Sequence, residues 1–235
     1  MTSPLRAIPE ITALRSSRSL IRIPPETDVP TTPRIRRLID APAFRRLASI
    51  RQLGLVSLVY PGALHSRFEH SLGAYRTALL FLDRLAENEA FAAAVDPSSA
   101  EKFLAAALLH DVGHWPFCHP IEDLAIPGMP THEDLARRHL QQEGIREALT
   151  ADWGFDADDV ADLLHRPPGN ARQRILDSLL SGPIDIDKMD YLARDSLHAG
   201  VPYGRNFDSG RLIQSLCLNQ TGDRLAITDK GKTAA

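Results

Sequence analysis

A histidine and an aspartate stand side by side at positions 110 and 111, where an apolar run, Phe-Leu-Ala-Ala-Ala-Leu-Leu, comes to its end. A carboxylate at the buried end of an apolar helix is costly unless a cation meets it. One imidazole nitrogen and one carboxylate oxygen form a mixed donor pair suited to a borderline divalent metal. In isolation a solvated helix end explains the pair as well. Two more histidines follow in His110-Asp111-Val-Gly-His114-Trp-Pro-Phe-Cys-His119, a stretch broken by Gly113 and Pro116. Two other segments supply further candidates. Ser66-Arg67-Phe68-Glu69-His70-Ser71 opens one helical pattern, and Ile184-Asp185-Ile186-Asp187-Lys188-Met189-Asp190-Tyr191 opens another. Singly, such a histidine is a cap or surface residue and such an aspartate is a partner for the helix dipole. The weight lies in the three segments together, in this order.

The elements that must position these residues are mostly helical. Leu72, Tyr75, Leu79, Leu82 and Leu85 recur at helical spacing within residues 67–91, and Phe103, Leu104, Ala107 and Leu108 do so within 100–111. Further helices are expected over residues 132–143, with Thr131 as N-cap, and over 156–164, 170–180 and 183–198. Short helices are expected at 33–38 and at 42–53, the latter ended by Gly54. The apolar, β-prone run 55–60 before Pro61-Gly62 reads as a strand and turn. Residues 215–219 and 224–228, around Thr-Gly-Asp, read as a hairpin. Through residue 33, six prolines rule out long helices and predict an irregular arm with one short strand at 20–23.

The bulk numbers leave the field open to an ordinary soluble domain. The chain has 235 residues, 43% hydrophobic and 24% charged, with a net charge of −3. Nothing in that balance marks a nucleic-acid or membrane partner. Cys118 and Cys217 are the two cysteines, too few for a disulfide framework or a cysteine-based zinc site. With no apolar stretch long enough to span a bilayer and no apolar leader at the N-terminus, a cytoplasmic location is expected. Arg34, Arg36, Arg37, Arg45, Arg46 and Arg51 make one basic stretch, read either as a solvated helix face or as a place for phosphates or a polyanion.

The order His…His-Asp…Asp resembles the signature of the HD superfamily of metal-dependent phosphohydrolases. Residues 51–73, with Tyr-Pro-Gly-Ala-Leu-His-Ser-Arg-Phe-Glu-His-Ser-Leu-Gly, are similar to its deoxynucleoside-triphosphate (dNTP) triphosphohydrolase branch, which includes sterile-alpha-motif/HD-domain and bacterial dGTPase-like enzymes. So are Leu-His-Asp-Val-Gly-His-Trp-Pro-Phe-Cys-His (109–119), Thr-His-Glu (131–133) and Asp-Ile-Asp-Lys-Met-Asp-Tyr-Leu-Ala-Arg-Asp (185–195). The resemblance implies His70, His110, Asp111 and Asp187 as ligands of one divalent metal, with Mn, Fe, Mg, Zn, Ni and Co all compatible. A second metal arriving with substrate is a further expectation. It implies His114, His119, Glu122, His132 and Glu133 as the proton-handling and phosphate-facing group. Glu122 departs from the aspartate expected there. Arg67 and Lys188 would meet phosphates, Gln52 and Leu53 the base and sugar, and Tyr191 and Asp195 the deoxyribose. On a helix Asp187, Tyr191 and Asp195 share one face.

The implied architecture is mainly α, an HD-domain helical bundle with a small C-terminal β-hairpin. Residues 1–32 form the arm and 33–207 the phosphohydrolase core. Residues 208–235 form the hairpin and the cut-short start of a further region. The implied reaction converts a dNTP to deoxynucleoside and tripolyphosphate. Alternatives are hydrolysis of another phosphoester (a nucleoside monophosphate or cyclic nucleotide) and a non-catalytic relative that binds nucleotide or nucleic acid, weakly, through the arginine stretch. The partners expected are a nucleotide substrate and, where the C-terminal region is present, further copies of the chain; no membrane partner is expected.

Overall fold

In the computed structural model, residues 3–16, 18–25, 27–229 and 231 are described. Helices dominate: α1 (Pro9–Ser16), α2 (Pro33–Asp40), α3 (Pro42–Arg45), α4 (Arg67–Leu85), α5 (Glu89–Ala94), α6 (Pro97–Leu109), α7 (Cys118–Glu122), α8 (His132–Leu140), α9 (Glu143–Ala148), α10 (Ala157–His165), α11 (Ala171–Ser181), α12 (Ile186–Ala199) and α13 (Ser209–Gln214). Two antiparallel hairpins complete it, β1 (Leu20–Ile23) with β2 (Thr27–Pro30) and β3 (Leu216–Leu218) with β4 (Leu225–Ile227). The mainly helical class with a small C-terminal hairpin is therefore observed. No helix among the described residues is long and apolar enough to cross a membrane.

α6 is the axis of the bundle. From Phe103 to Leu109 every side chain is buried, which is why this helix reads as apolar on all faces. It packs against α4 and α10, and α4 in turn carries α12. Each of these helices begins where a polar side chain accepts a free backbone N–H: Ser66 for α4, Asp96 for α6, Asn170 for α11 and Asp185 for α12. Thr131 and Asp134 form a full capping box at the start of α8. Since α4, α6 and α12 are adjacent, the start of α4, the end of α6 and the first turn of α12 converge. Those are the three places that carry His70, His110-Asp111 and Asp187.

Several expectations fail for local reasons. The 55–60 run forms a 3-10 helix, Gly54–Leu58, rather than a strand. No neighbouring strand takes up its backbone groups; nearby, Arg51 bridges Ser66 in isolation. Its side chains face outward, with Leu58 79% and Val59 75% exposed. The helix expected at 42–53 shortens to α3 and a 3-10 turn, Arg46–Ser49, before the chain extends at Ile50. The 67–91 pattern breaks at Ala86, where Asn88 caps a new helix, α5. The last long helix starts at Ile186, because Asp185 rather than Pro183 provides the cap.

The N-terminal segment is not an irregular arm. It holds α1 and the β1–β2 hairpin, and Leu5, Ile8, Ile11, Ile23 and Val29 join the main core. Pro9 opens α1 instead of breaking it, as a proline at a first helical position can. The arginine stretch is largely engaged in the fold as well. Arg34 pairs with the buried Glu10 and with Glu101, Arg37 with Asp152, and Arg46 donates to the carbonyls of Val112 and His114. Residues 230 and 232–235, within the expected run-in to a further region, lie outside the described residues.

Candidate metal centre and its cleft

Two imidazoles face each other at the junction of α4 and α6. Nδ1 of His70 lies 2.9 Å from Oδ2 of Asp190, and Nδ1 of His110 lies 2.9 Å from the carbonyl of Ala107. Both partners only accept, so both Nδ1 atoms carry hydrogen and both Nε2 atoms present lone pairs. Those two Nε2 atoms are 3.1 Å apart, with Oδ1 of Asp187 2.9 Å from His70 and 3.8 Å from His110. Two lone pairs and a carboxylate at these distances can share a cation between them. His70, His110 and Asp187 form one group able to hold a metal ion.

Asp111 flanks that group. Its oxygens lie 3.5 Å from Nε2 of His110 and 3.9 Å from Nε2 of His70, while Oδ2 also accepts from Arg67 at 2.8 Å. Burial opposes its ionisation, but His110, His114 and Arg67 outweigh that and hold it well below the usual carboxylate range. For His70, burial disfavours a proton, yet hydrogen bonds to Asp187 and Asp190 and the charge of Asp111 raise its pKa to about 10. Without a metal, the proton fills the cation's place. A two-imidazole, two-carboxylate donor set of this kind suits a divalent metal.

Support for the centre reaches into α12. Arg194 grips both oxygens of Asp190 at 2.8 and 2.7 Å and donates to Glu69 at 2.8 Å and to the carbonyl of Pro24 at 2.7 Å. Glu69 accepts from His198 as well. Asp190 thus fixes the ring and tautomer of His70, the usual role of a carboxylate behind a metal-binding histidine. Gly73 makes room for it: a Cβ there would fall 1.9 Å from Oδ1 of Asp190. The sequence reading missed Asp190, Arg194 and Gly73 in these roles. The signal available was Asp190 three residues beyond Asp187, with an arginine four residues further on.

A cleft of about 430 Å³ opens beside the centre. Of the residues singled out from sequence, Gln52, Leu53, Arg67, His110, Asp111, His114, His119, His132, Glu133, Asp187, Tyr191 and Asp195 line it. His165 and Ser181 line it too and were not foreseen. His70 sits behind the wall, 1% exposed. Lys188 is turned aside, its ammonium held by Asp185 at 2.6 Å and the carbonyl of Gly182 at 3.1 Å. Asp195 pairs with His65, at 2.7 Å.

His114, His119 and His132 cluster beside the donor group, with ring centroids 4.4 to 5.5 Å apart. Burial pushes His114 down to about 3, although Asp111 pulls the other way. Burial and the charge of Arg67 also lower His119. Both are neutral near pH 7. Glu122 accepts the backbone N–H of His132 at 2.6 Å and faces its Nδ1 at 3.0 Å, so it positions His132 rather than lining the cleft. Burial, with the charge of Glu122, pushes the thiol of Cys118 up to about 12.

Residues 67–195 match the family described as HD domain. An uncharacterised Bacillus subtilis protein, YwfO, is 36% identical over 198 residues, covering 84% of this chain and 43% of its own length. The human deoxynucleoside triphosphate triphosphohydrolase SAMHD1 is 31% identical over 228 residues, covering 85% of this chain and 36% of that one. Among solved structures, a phosphohydrolase from Bacteroides thetaiotaomicron superposes with a TM-score of 0.74 at 33% identity, covering 93% of this chain and 50% of its own. The chain spans less than half the length of these curated relatives.

Proposed function

The chain belongs to the HD-domain family of phosphohydrolases, and from that premise we propose that it hydrolyses deoxynucleoside triphosphates to deoxynucleoside and tripolyphosphate. The observation that carries this reading is the shape of one cleft: the metal-donor group at its floor, the histidine cluster on one wall, and Gln52–Leu53 and Tyr191–Asp195 at its sides. A metal, a leaving alkoxide and a nucleoside can then be served together. Likeness to SAMHD1 supports the substrate class.

His70, His110, Asp111 and Asp187 would hold the divalent ion. Bound there, it polarises a phosphoryl oxygen and lowers the pKa of a water. Arg67 bridges Asp111 to the cleft and offers its remaining donors to phosphate oxygens. His114 and His119, neutral before substrate arrives, can accept a proton, and the charge of a triphosphate then stabilises the protonated ring. His119 is 58% exposed, with Nε2 3.3 Å from that of His114, so a proton can pass between the two rings. Glu133, exposed at the start of α8, would complete the acid–base wall. Tyr191 follows Asp187 by one helical turn and Asp195 follows Tyr191 by another, an order in which a sugar held by the last two would lie beside a metal held by the first.

Product analysis tests the substrate. The purified chain is incubated with Mn²⁺ or Mg²⁺ and each dNTP, beside His110→Ala and Asp111→Ala proteins, and the products are separated by ion-pair chromatography. Deoxynucleoside with tripolyphosphate, absent in both variants, is the expected result. Turnover of nucleoside monophosphates or cyclic nucleotides instead would move the substrate while keeping the metal chemistry, and no dNTP product would overturn the proposal for this chain.

A further inference from the structure

The histidine cluster contains a residue that phosphate chemistry leaves unexplained. His114, Cys118, His119 and His132 each offer a donor atom, and these atoms all lie within 4.8 Å of one another. Nε2 of His114 and Nε2 of His119 are 3.3 Å apart. The edge of a tetrahedron built on zinc–nitrogen bonds is about 3.4 Å. Each ring turns Nδ1 toward a carboxylate: His114 toward Asp111 at 3.2 Å, His132 toward Glu122 at 3.0 Å and His119 toward Glu122 at 3.7 Å. Glu122 hydrogen-bonds Nδ1 of His132, and His114 and His119 turn Nε2 toward each other, so each ring has a nitrogen to offer, the arrangement that orients metal-binding histidines. Cys118, 2% exposed, supplies sulfur to the same group.

We propose that His114, Cys118, His119 and His132 form a second, protein-only site for a soft or borderline transition-metal ion, with zinc as its representative, and that filling it shuts off hydrolysis. Three imidazoles and a thiolate favour Zn²⁺, Co²⁺ or Cd²⁺ over Mg²⁺ and Mn²⁺, which prefer oxygen donors. The sulfur–metal bond forms as the thiol proton leaves to solvent, with no redox change. The imidazole lone pairs that proton transfer requires, those of His114 and His119 among them, are then occupied. The binding half stands on geometry alone; the shut-off rests on the reading under Proposed function.

Cobalt separates the two sites, because only the second contains sulfur. Titrating the metal-free protein with Co²⁺ is expected to give a near-ultraviolet sulfur-to-cobalt charge-transfer band in wild type and in Cys217→Ser, and none in Cys118→Ser or Cys118→Ala. Zn²⁺ affinity at that site should fall by roughly tenfold or more in Cys118→Ser, since even outer-shell losses cost 10–100-fold. No band in wild type, or a band that survives in Cys118→Ser, overturns the proposal. Wild type and Cys217→Ser decide the matter even where the Cys118 variants fold poorly. In Mn²⁺-supported turnover, Zn²⁺ should inhibit wild type at concentrations roughly tenfold lower than Cys118→Ser. Equal inhibition of the two would overturn the shut-off and leave the site standing. A chain that turns over no dNTP would fail the functional reading while the cobalt result still decided the binding.

Discussion

The two histidine groups of the cleft use the same device to different ends. In both, a carboxylate or carbonyl holds Nδ1 of a ring: Asp190 and Ala107 in the first, Glu122 on His132 in the second. His70 and His110 do this in a nearly sealed setting, backed by Asp190 and Ala107 and joined by Asp187, an oxygen donor. His114, His119 and His132 do it in a more open one, with His119 58% exposed and Cys118 as the extra donor. The first group is built to keep a cation; in the second, His114 and His119 are held neutral until charge arrives. What distinguishes them is the number of carboxylates facing each Nε2. Asp187 and Asp111 draw positive charge onto His70, whereas burial and Arg67 push it off His114 and His119.

The largest expected effect comes from removing a donor of the first group. Asp187→Ala or His110→Ala should abolish both metal retention and hydrolysis, read by elemental analysis and turnover, because the remaining donors leave an incomplete site. Next, His119→Ala should lower turnover by about 10²–10⁴-fold, the usual worth of a general acid–base group. Metal content should be unchanged, and a variant that lost metal too would collapse the distinction between the groups.

Asp190→Asn should weaken metal affinity by roughly 10–100-fold while leaving the fold intact. Gly73→Ala attacks the same support from α4. The added methyl should displace the Asp190–Arg194 pair and destabilise the chain by about 1–3 kcal/mol in denaturant unfolding, despite alanine's better helix propensity.

A further effect is graded with pH. His70's raised pKa, about 10, means that its proton stabilises the metal-free protein fully below the ordinary value of 6.5. That contribution is lost as pH rises through about 10. The same proton competes with the metal, so apparent metal affinity should climb with pH across that window, by up to roughly tenfold per unit. Flat affinity from pH 7 to 9 would show that His70 carries no proton in the metal-free state.

Much of the helical frame was legible because its signals are local. Thr131 announces one helix start, the segment from Ser66 opens another, and the all-apolar Phe103–Leu109 stretch announces a central helix, whereas the caps Asp96 and Asp185 went unread. The convergence of His70, His110-Asp111 and Asp187 followed from a resemblance, since nothing in the spacing alone brings α4, α6 and α12 together. What stayed hidden depends on contacts between distant segments. Whether residues 55–60 form a strand depends on a partner edge that the fold does not provide. The prolines of the N-terminal segment gave no hint that Leu5, Ile8 and Ile11 would enter the core. Lys188 looked like a phosphate ligand until Asp185, its own helix cap, took the ammonium. Asp195 found its partner in His65, 130 residues away.

The most direct test of the metal centre is the metal content of the purified chain after exposure to Mn²⁺ and gel filtration, compared with Asp187→Ala. Retention of about one equivalent by wild type and none by the variant is the predicted result for a four-donor set of this kind. A wild-type chain that emerges without metal, or a variant that retains as much, would contradict the assignment of His70, His110, Asp111 and Asp187 as the metal site.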